Sequence, residues 1–259
     1  LRRVVLRQSE PRNVPNRQAV LSATYSIEPT RRFEEGGESY TEFRFDQIEG
    51  PVEVVARYRL RLERDGLGVA RRRGALAESR ALEQLSLFRA PEPYIESQRP
   101  EITDIARRLR RPVDTETVHD LHQFVTRRLA YLGYNPDSVG ATETLRRGGG
   151  DCTEYADLFV ALARAAGFPA RVLTGFTVED ADTVKHNWAE VWLDDYGWVP
   201  FDPLHAQRLP STDFETLDNK YIILSHTRTD GRLNGFSFYS YEYLGARPEV
   251  VEQYEFRER

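Results

Sequence analysis

RGGGDCTEYADLFVALARAAGFPAR, residues 147–171, places the only cysteine of a 259-residue chain at the start of a helix. Asp151 is a good N-cap, and Glu154 three residues on completes a capping-box pair. Tyr155, Phe159, Leu162 and Ala166 recur at spacings of three and four, the period of a buried helical stripe. Gly167 and Pro169 stop it. Gly148, Gly149 and Gly150 are read as an approach with no side chain to obstruct a ligand. The unpaired N–H groups at a helix start favour an anion, so a thiol there tends toward thiolate, especially beside an imidazole. Cys152 is therefore the candidate nucleophile rather than a small buried apolar residue.

Working outward, the C-terminal neighbour HNWAEVWLDDYGWVPFDP, residues 186–203, reads as a hairpin that turns at Asp194 to Gly197. His186 begins its first strand and Asp202 ends its second. Folding brings them side by side on strands about 4.8 Å apart, close enough for a carboxylate to bond an imidazole nitrogen. Glu190 is the rival partner, but four residues along one strand is about 13 Å. It is expected to be structural, paired with an arginine such as Arg171. A further strand is expected over Ala170 to Glu179, with a turn over Glu179 to Asp182.

On the N-terminal side, Glu101 to Arg111 and Glu116 to Leu132 are helical by periodicity. His119 and His122 lie three apart on the second helix, but no third metal ligand stands nearby, so a core or surface histidine pair is expected rather than zinc. No metal site and no cofactor are expected. Ala90 to Pro100, with Pro91, Pro93 and Pro100, breaks both periodicities and reads as a linker. Before it the pattern is mostly period two: Ala19 to Ile27, Tyr40 to Ile48, and Val52 to Glu63, where Ala56, Tyr58, Leu60 and Leu62 alternate with arginines. Ala75 to Leu87 is ambiguous between helix and strand. The expected organisation is a β-sandwich-like domain over residues 1–90, a linker over 91–100 and a catalytic domain over 101–259.

Thirty-six Lys and Arg against 41 Asp and Glu give a net charge of −5, which argues against a dedicated nucleic-acid binder. No stretch approaches the roughly 20 apolar residues needed to cross a bilayer, so no membrane insertion is expected. One cysteine excludes an internal disulfide. The chain contains no methionine, as expected of one that does not begin at its translation start; a soluble protein is expected, with the compartment open between cytoplasm and, after removal of a leader, periplasm or secretion.

The three blocks GDCTEYADLFVALARAAGFPARVLTGF, HNWAEVWL and GWVPFDP, in that order, resemble the core of the transglutaminase-like superfamily, relatives of the papain-like thiol enzymes. The resemblance covers roughly Tyr94 to Ala206, and the N-terminal β domain is similar to one that precedes this core in bacterial members. It implies an α+β fold with the nucleophile helix packed on an antiparallel sheet. It also implies a triad of Cys152 as nucleophile, His186 as base and Asp202 as orienter, the same set that the spacing gave. The tryptophan that animal transglutaminases place upstream of the nucleophile is missing here. The Cys152 backbone N–H remains as one oxyanion donor and Tyr131 is the candidate second. No calcium loop is recognisable.

The expected chemistry is acyl transfer from an amide or peptide bond through a thioester, with a protein or peptide as substrate. Water resolving the thioester gives a cysteine peptidase or amidase, and an amine gives a protein-glutamine transglutaminase. A non-catalytic interaction module is the alternative of a different class. Only Lys185 and Lys220 are lysines. Lys185 directly precedes His186, where a free amine would compete for the acyl group, and this favours hydrolysis.

Overall fold

The computed structural model describes residues 2–73, 85–178, 184–209 and 212–258. Most of the ambiguous segment Ala75 to Leu87, and the expected turn over Glu179 to Asp182, lie outside the described residues. In chain order the elements are β1 (Arg3–Ser9), β2 (Gln18–Tyr25), β3 (Arg31–Glu35), β4 (Glu38–Asp46), β5 (Ala56–Leu62), α1 (Leu67–Arg73), α2 (Pro100–Leu109), α3 (Asp114–Arg128), β6 (Ala130–Tyr131) and α4 (Ala141–Arg147). They continue as β7 (Gly149–Gly150), α5 (Cys152–Ala165), β8 (Ala170–Thr177), β9 (Lys185–Leu193), β10 (Gly197–Phe201), α6 (Pro203–Arg208), β11 (Tyr221–Ser225) and β12 (Tyr239–Leu244). The fold is α+β, as expected.

The chain forms two compact units. One comprises Leu1–Glu63, Thr174–Lys185 and Lys220–Arg259. Its larger sheet has the order β12-β1-β4-β3, and β2 and β5 form a second, two-stranded sheet. Along β5 Ala56, Tyr58, Leu60 and Leu62 are half-buried while the arginines between them are exposed, the expected alternation. Tyr25 of β2 meets Phe43 of β4 edge-on at 6.0 Å, so the two sheets face one another through aromatic rings. The Tyr25 and Tyr58 hydroxyls both donate to the Glu10 carboxylate. The end of β8 belongs here too, with Phe176 opposite Ile222 of β11.

This division differs from the expected break at residues 91–100. The C-terminal strand β12 pairs antiparallel with β1, Tyr241 opposite Leu6, so the β unit draws on both ends of the chain. An edge strand presents unpaired backbone groups that a segment distant in sequence can cover as well as a near one. Nor does 91–100 behave as a linker: Ile95 is fully buried in the core of the other unit. Arg164 donates to the Ala90 carbonyl at 2.6 Å, tying the start of that segment to α5.

The other unit comprises Arg64–Leu173 and His186–Asn219. Helix α5 is its centre. Leu158, Phe159 and Leu162 are buried in one cluster with Ile102 and Ile105 of α2 and Val118, Leu121 and Val125 of α3. The β9–β10 hairpin forms as expected, with Trp198 opposite Trp192 and Phe201 opposite Ala189. Helix α3 stops at Arg128, four residues short of the expected end, because Ala130 and Tyr131 leave it to pair in parallel with Gly149 and Gly150.

That pairing corrects the reading of the glycine run. Gly148 is the left-handed C-cap of α4, at φ 74°. A Cβ on Gly149 would lie 2.5 Å from the Ala130 carbonyl oxygen, and one on Gly150 would lie 2.4 Å from the Glu154 Cβ. These glycines are required by close backbone packing rather than by ligand access. Gly150→Ala is expected to destabilise the unit by about 1–3 kcal/mol through overpacking. Urea unfolding checks this, and wild-type stability would contradict it.

Candidate active site

The site is built from the start of α5, the start of β9 and the chain leaving β10. Asp151 caps α5 by accepting from the Thr153 N–H at 2.8 Å, and the Glu154 carboxylate accepts from the Asp151 N–H at 3.0 Å. The capping box is therefore complete, as the sequence pattern expected. The second Asp151 oxygen accepts from the Asn135 N–H at 3.0 Å, anchoring the preceding loop. Burial and the Asp151 charge push the Glu154 carboxyl up to about 7. Cys152 is the first helical residue and is partly buried.

His186 and Asp202 are each 1% exposed, and His186 Nε2 lies 2.6 Å from Asp202 Oδ2. The hairpin thus brings together the two residues that the sequence placed at its open end. Burial disfavours the imidazolium, but the Asp202 charge and hydrogen bond, with Cys152 adding in the same direction, outweigh it and raise His186 to about 10. Burial likewise disfavours the carboxylate, yet His205 and His186 hold Asp202 well below the ordinary range. Asn187 Nδ2 donates to Thr153 Oγ1 at 2.9 Å, so the residue after the imidazole is tied to the residue after the thiol.

Glu190 is buried and ion-paired with Arg171, the structural role expected of it. The Arg171 guanidinium also lies over the Trp198 ring at 4.0 Å. Tyr131 is half-buried on β6, with the Arg208 guanidinium 4.1 Å from its ring centre. His122 is a core residue against Phe159 and Phe214, and burial pushes it down to about 4. His119 is at the surface, bonded to Gln123 at 3.0 Å. A cavity of about 390 Å³ lined by these two histidines, Thr126, Arg127 and Phe214 includes none of Cys152, His186 or Asp202. In the β unit, Lys185 is engaged: its Nζ lies 2.6 Å from Glu252 and 4.9 Å from the centre of the Phe238 ring.

Sequence reasoning missed His205. Its Nδ1 lies 3.2 Å from Asp202 Oδ2, and its ring stacks on His186 at 4.1 Å and 11°. Ligand atoms of His186, Asp202 and His205 fall within 4.8 Å of one another. Both ring nitrogens converge on the one Asp202 oxygen, so the three side chains form a cluster around a shared carboxylate. The available signal was the spacing Asp202-Pro203-Leu204-His205, a helix N-cap with a histidine three residues on.

Residues 103–203 match the model of the transglutaminase-like superfamily. An uncharacterised protein of Mycobacterium bovis is 28% identical over 160 residues, 54% of this chain and 48% of that protein. The chain thus spans about half the length of the curated relatives it matches first, at 48%. A protein-glutamine gamma-glutamyltransferase of Pseudomonas aeruginosa is 32% identical over 66 residues, 22% of this chain and 10% of that protein. Among solved structures, a candidate cysteine protease from Cytophaga hutchinsonii aligns with a TM-score of 0.66 at 17% identity, over 93% of this chain and 81% of that one. That likeness is one of fold. Among the described residues no helix is long and apolar enough to cross a membrane.

Proposed function

We propose, from the transglutaminase-like core that residues 103–203 carry, that this chain is a thiol-dependent acyl-transfer enzyme acting on amide or peptide bonds of a protein or peptide. The observation that carries the reading is the buried His186–Asp202 pair at 2.6 Å, in a unit that also presents Cys152 at a capped helix start.

The Cys152 sulfur attacks the amide carbonyl and forms a tetrahedral intermediate. The Cys152 backbone N–H and Tyr131 are the proposed donors to its oxyanion. His186, oriented through Nε2 by Asp202, holds the proton from the thiol and delivers it to the departing nitrogen as the C–N bond breaks. Water, deprotonated by His186, then resolves the thioester to a carboxylic acid and the free thiol. Hydrolysis is the principal activity proposed.

Resolution by an amine, giving a transglutaminase, is the second reading, and one observation removes the objection to it. The Lys185 amine pairs with Glu252 and lies beside the Tyr239 and Tyr254 rings, so it is engaged rather than the free competing amine that its sequence position implied. The test is a partition measurement on a glutamine-containing peptide with rising concentrations of a primary amine. Acid product dominating at millimolar amine supports hydrolysis, and amide exchange dominating replaces it with the second reading.

Asp202→Asn is expected to be milder than removal of Cys152 or His186, because it keeps the geometry and disturbs the imidazole tautomer. Glu190→Gln should lose less activity than Asp202→Asn in the same assay. The reverse order would make Glu190 the orienter.

A further inference from the structure

We infer that His205 is a positioning residue that shares the Asp202 carboxylate with His186 and thereby limits how tightly the His186 proton is held. This inference rests on the thiol acyl-transfer reading above.

The geometry begins with the helix cap. Asp202 is the N-cap of α6, and its Oδ1 accepts from the His205 main-chain N–H at 3.0 Å. His205 occupies the third helical position, where a capping box would carry Glu or Gln reaching back to the cap. Here an imidazole reaches the cap's carboxylate instead, with Nδ1 3.2 Å from the same Oδ2 that lies 2.6 Å from His186 Nε2. His205 is 1% exposed, so water does not substitute for it. Its ring lies flat against His186 at 4.1 Å, and Trp188 stacks on His186 at 5.9 Å.

A carboxylate oxygen with two ring donors divides its negative charge between them. Two imidazoliums face to face at 4.1 Å would put like charges in contact. In the proposed arrangement the pair carries one imidazolium, on His186, and His205 donates through Nδ1–H as a neutral ring. The consequence is chemical. Asp202 stabilises the His186 imidazolium enough to orient it, while His205 draws off part of that charge so that the proton can pass to the departing nitrogen. The other titratable groups acting on the pair are Cys152 from α5, which acts on His186, and His122 from α3, which acts with Asp202 and is itself influenced by His119 and Asp213.

The experiment is a titration of histidine ring nitrogens by long-range ¹H–¹⁵N NMR on the full chain, in the wild type, His205→Asn and His205→Phe. Asn places an N–H donor where Nδ1 stood; Phe keeps the stacked ring and removes the donor. The expected result is an Nδ1–H tautomer for wild-type His205. His205→Phe should move the His186 midpoint upward by roughly 0.5–1 pH unit, the scale of a hydrogen bond shared at a charged group. His205→Asn should leave it near the wild-type value. A merely structural role would lower thermal stability and leave the His186 midpoint in place. An unmoved or lowered midpoint in folded His205→Phe overturns the inference. If that variant does not fold, an Nε2–H tautomer in the wild type overturns it equally. Iodoacetamide kinetics on the same wild-type sample keep the two ideas apart: free-thiol behaviour of Cys152 defeats the acyl-transfer reading, whereas the titration judges His205.

Discussion

Cys152→Ala is expected to abolish thioester formation and turnover while leaving the fold intact, a loss of about 10⁴-fold or more by analogy with removal of a nucleophile that acts as part of a unit. The fold should survive because Cys152 is only partly buried at the first turn of α5. The cap that starts the helix comes from Asp151 and Glu154, which the substitution does not touch. Acyl-adduct mass spectrometry with a panel of peptide substrates reads the chemistry, and near-ultraviolet circular dichroism reads the fold. An adduct that persists in the variant would place the nucleophile elsewhere.

The largest effect on stability is expected at Asp202→Ala. This substitution removes the counter-charge of His186, the acceptor for both His205 donors and the cap of α6 together. Breaking a buried pair by deleting one partner costs about 3–5 kcal/mol, and loss of the His186 proton in the variant keeps the figure toward the lower end. The dependence on pH follows from the directions of the two shifts. His186 is raised from 6.5 to about 10, so its contribution is complete below about 6.5 and is lost as pH rises toward 10. Asp202 is lowered from 3.8, so its contribution is complete above about 4 and is lost only as pH falls further. The gap between wild type and variant should therefore be widest between about pH 4 and 6.5 and narrow above that window. Urea unfolding at about pH 5.5, 7.5 and 9.5 measures it. A gap that widens toward pH 9.5 would contradict the assignment of charges.

Much of the site was legible because its residues are set by local rules. A capping box fixes where α5 starts, and a hairpin with a tight turn fixes which residues meet at its open end. The Glu190–Arg171 pair was legible for a related reason: a buried carboxylate needs a partner, and an arginine on the preceding strand was within reach. What escaped the sequence depends on approach between segments far apart in the chain. The pairing of β12 with β1 joins residues more than two hundred positions apart, and no periodicity within either strand announces its partner. Gly149 and Gly150 read as open space, although their lack of side chains serves contact with Ala130 and Glu154. His205 was missed because the one signal, a histidine three residues after the N-cap Asp202, marks a capping position and does not by itself turn the ring back onto the carboxylate.

The account rests on Cys152 and His186 working as a pair, and the rate of Cys152 alkylation by iodoacetamide as a function of pH, in the wild type and in His186→Ala, tests that pairing most directly. The expected result is alkylation of Cys152 slower by about tenfold or more in His186→Ala than in the wild type at about pH 6. Superimposable profiles for the two proteins would contradict the pairing and, with it, the proposed chemistry.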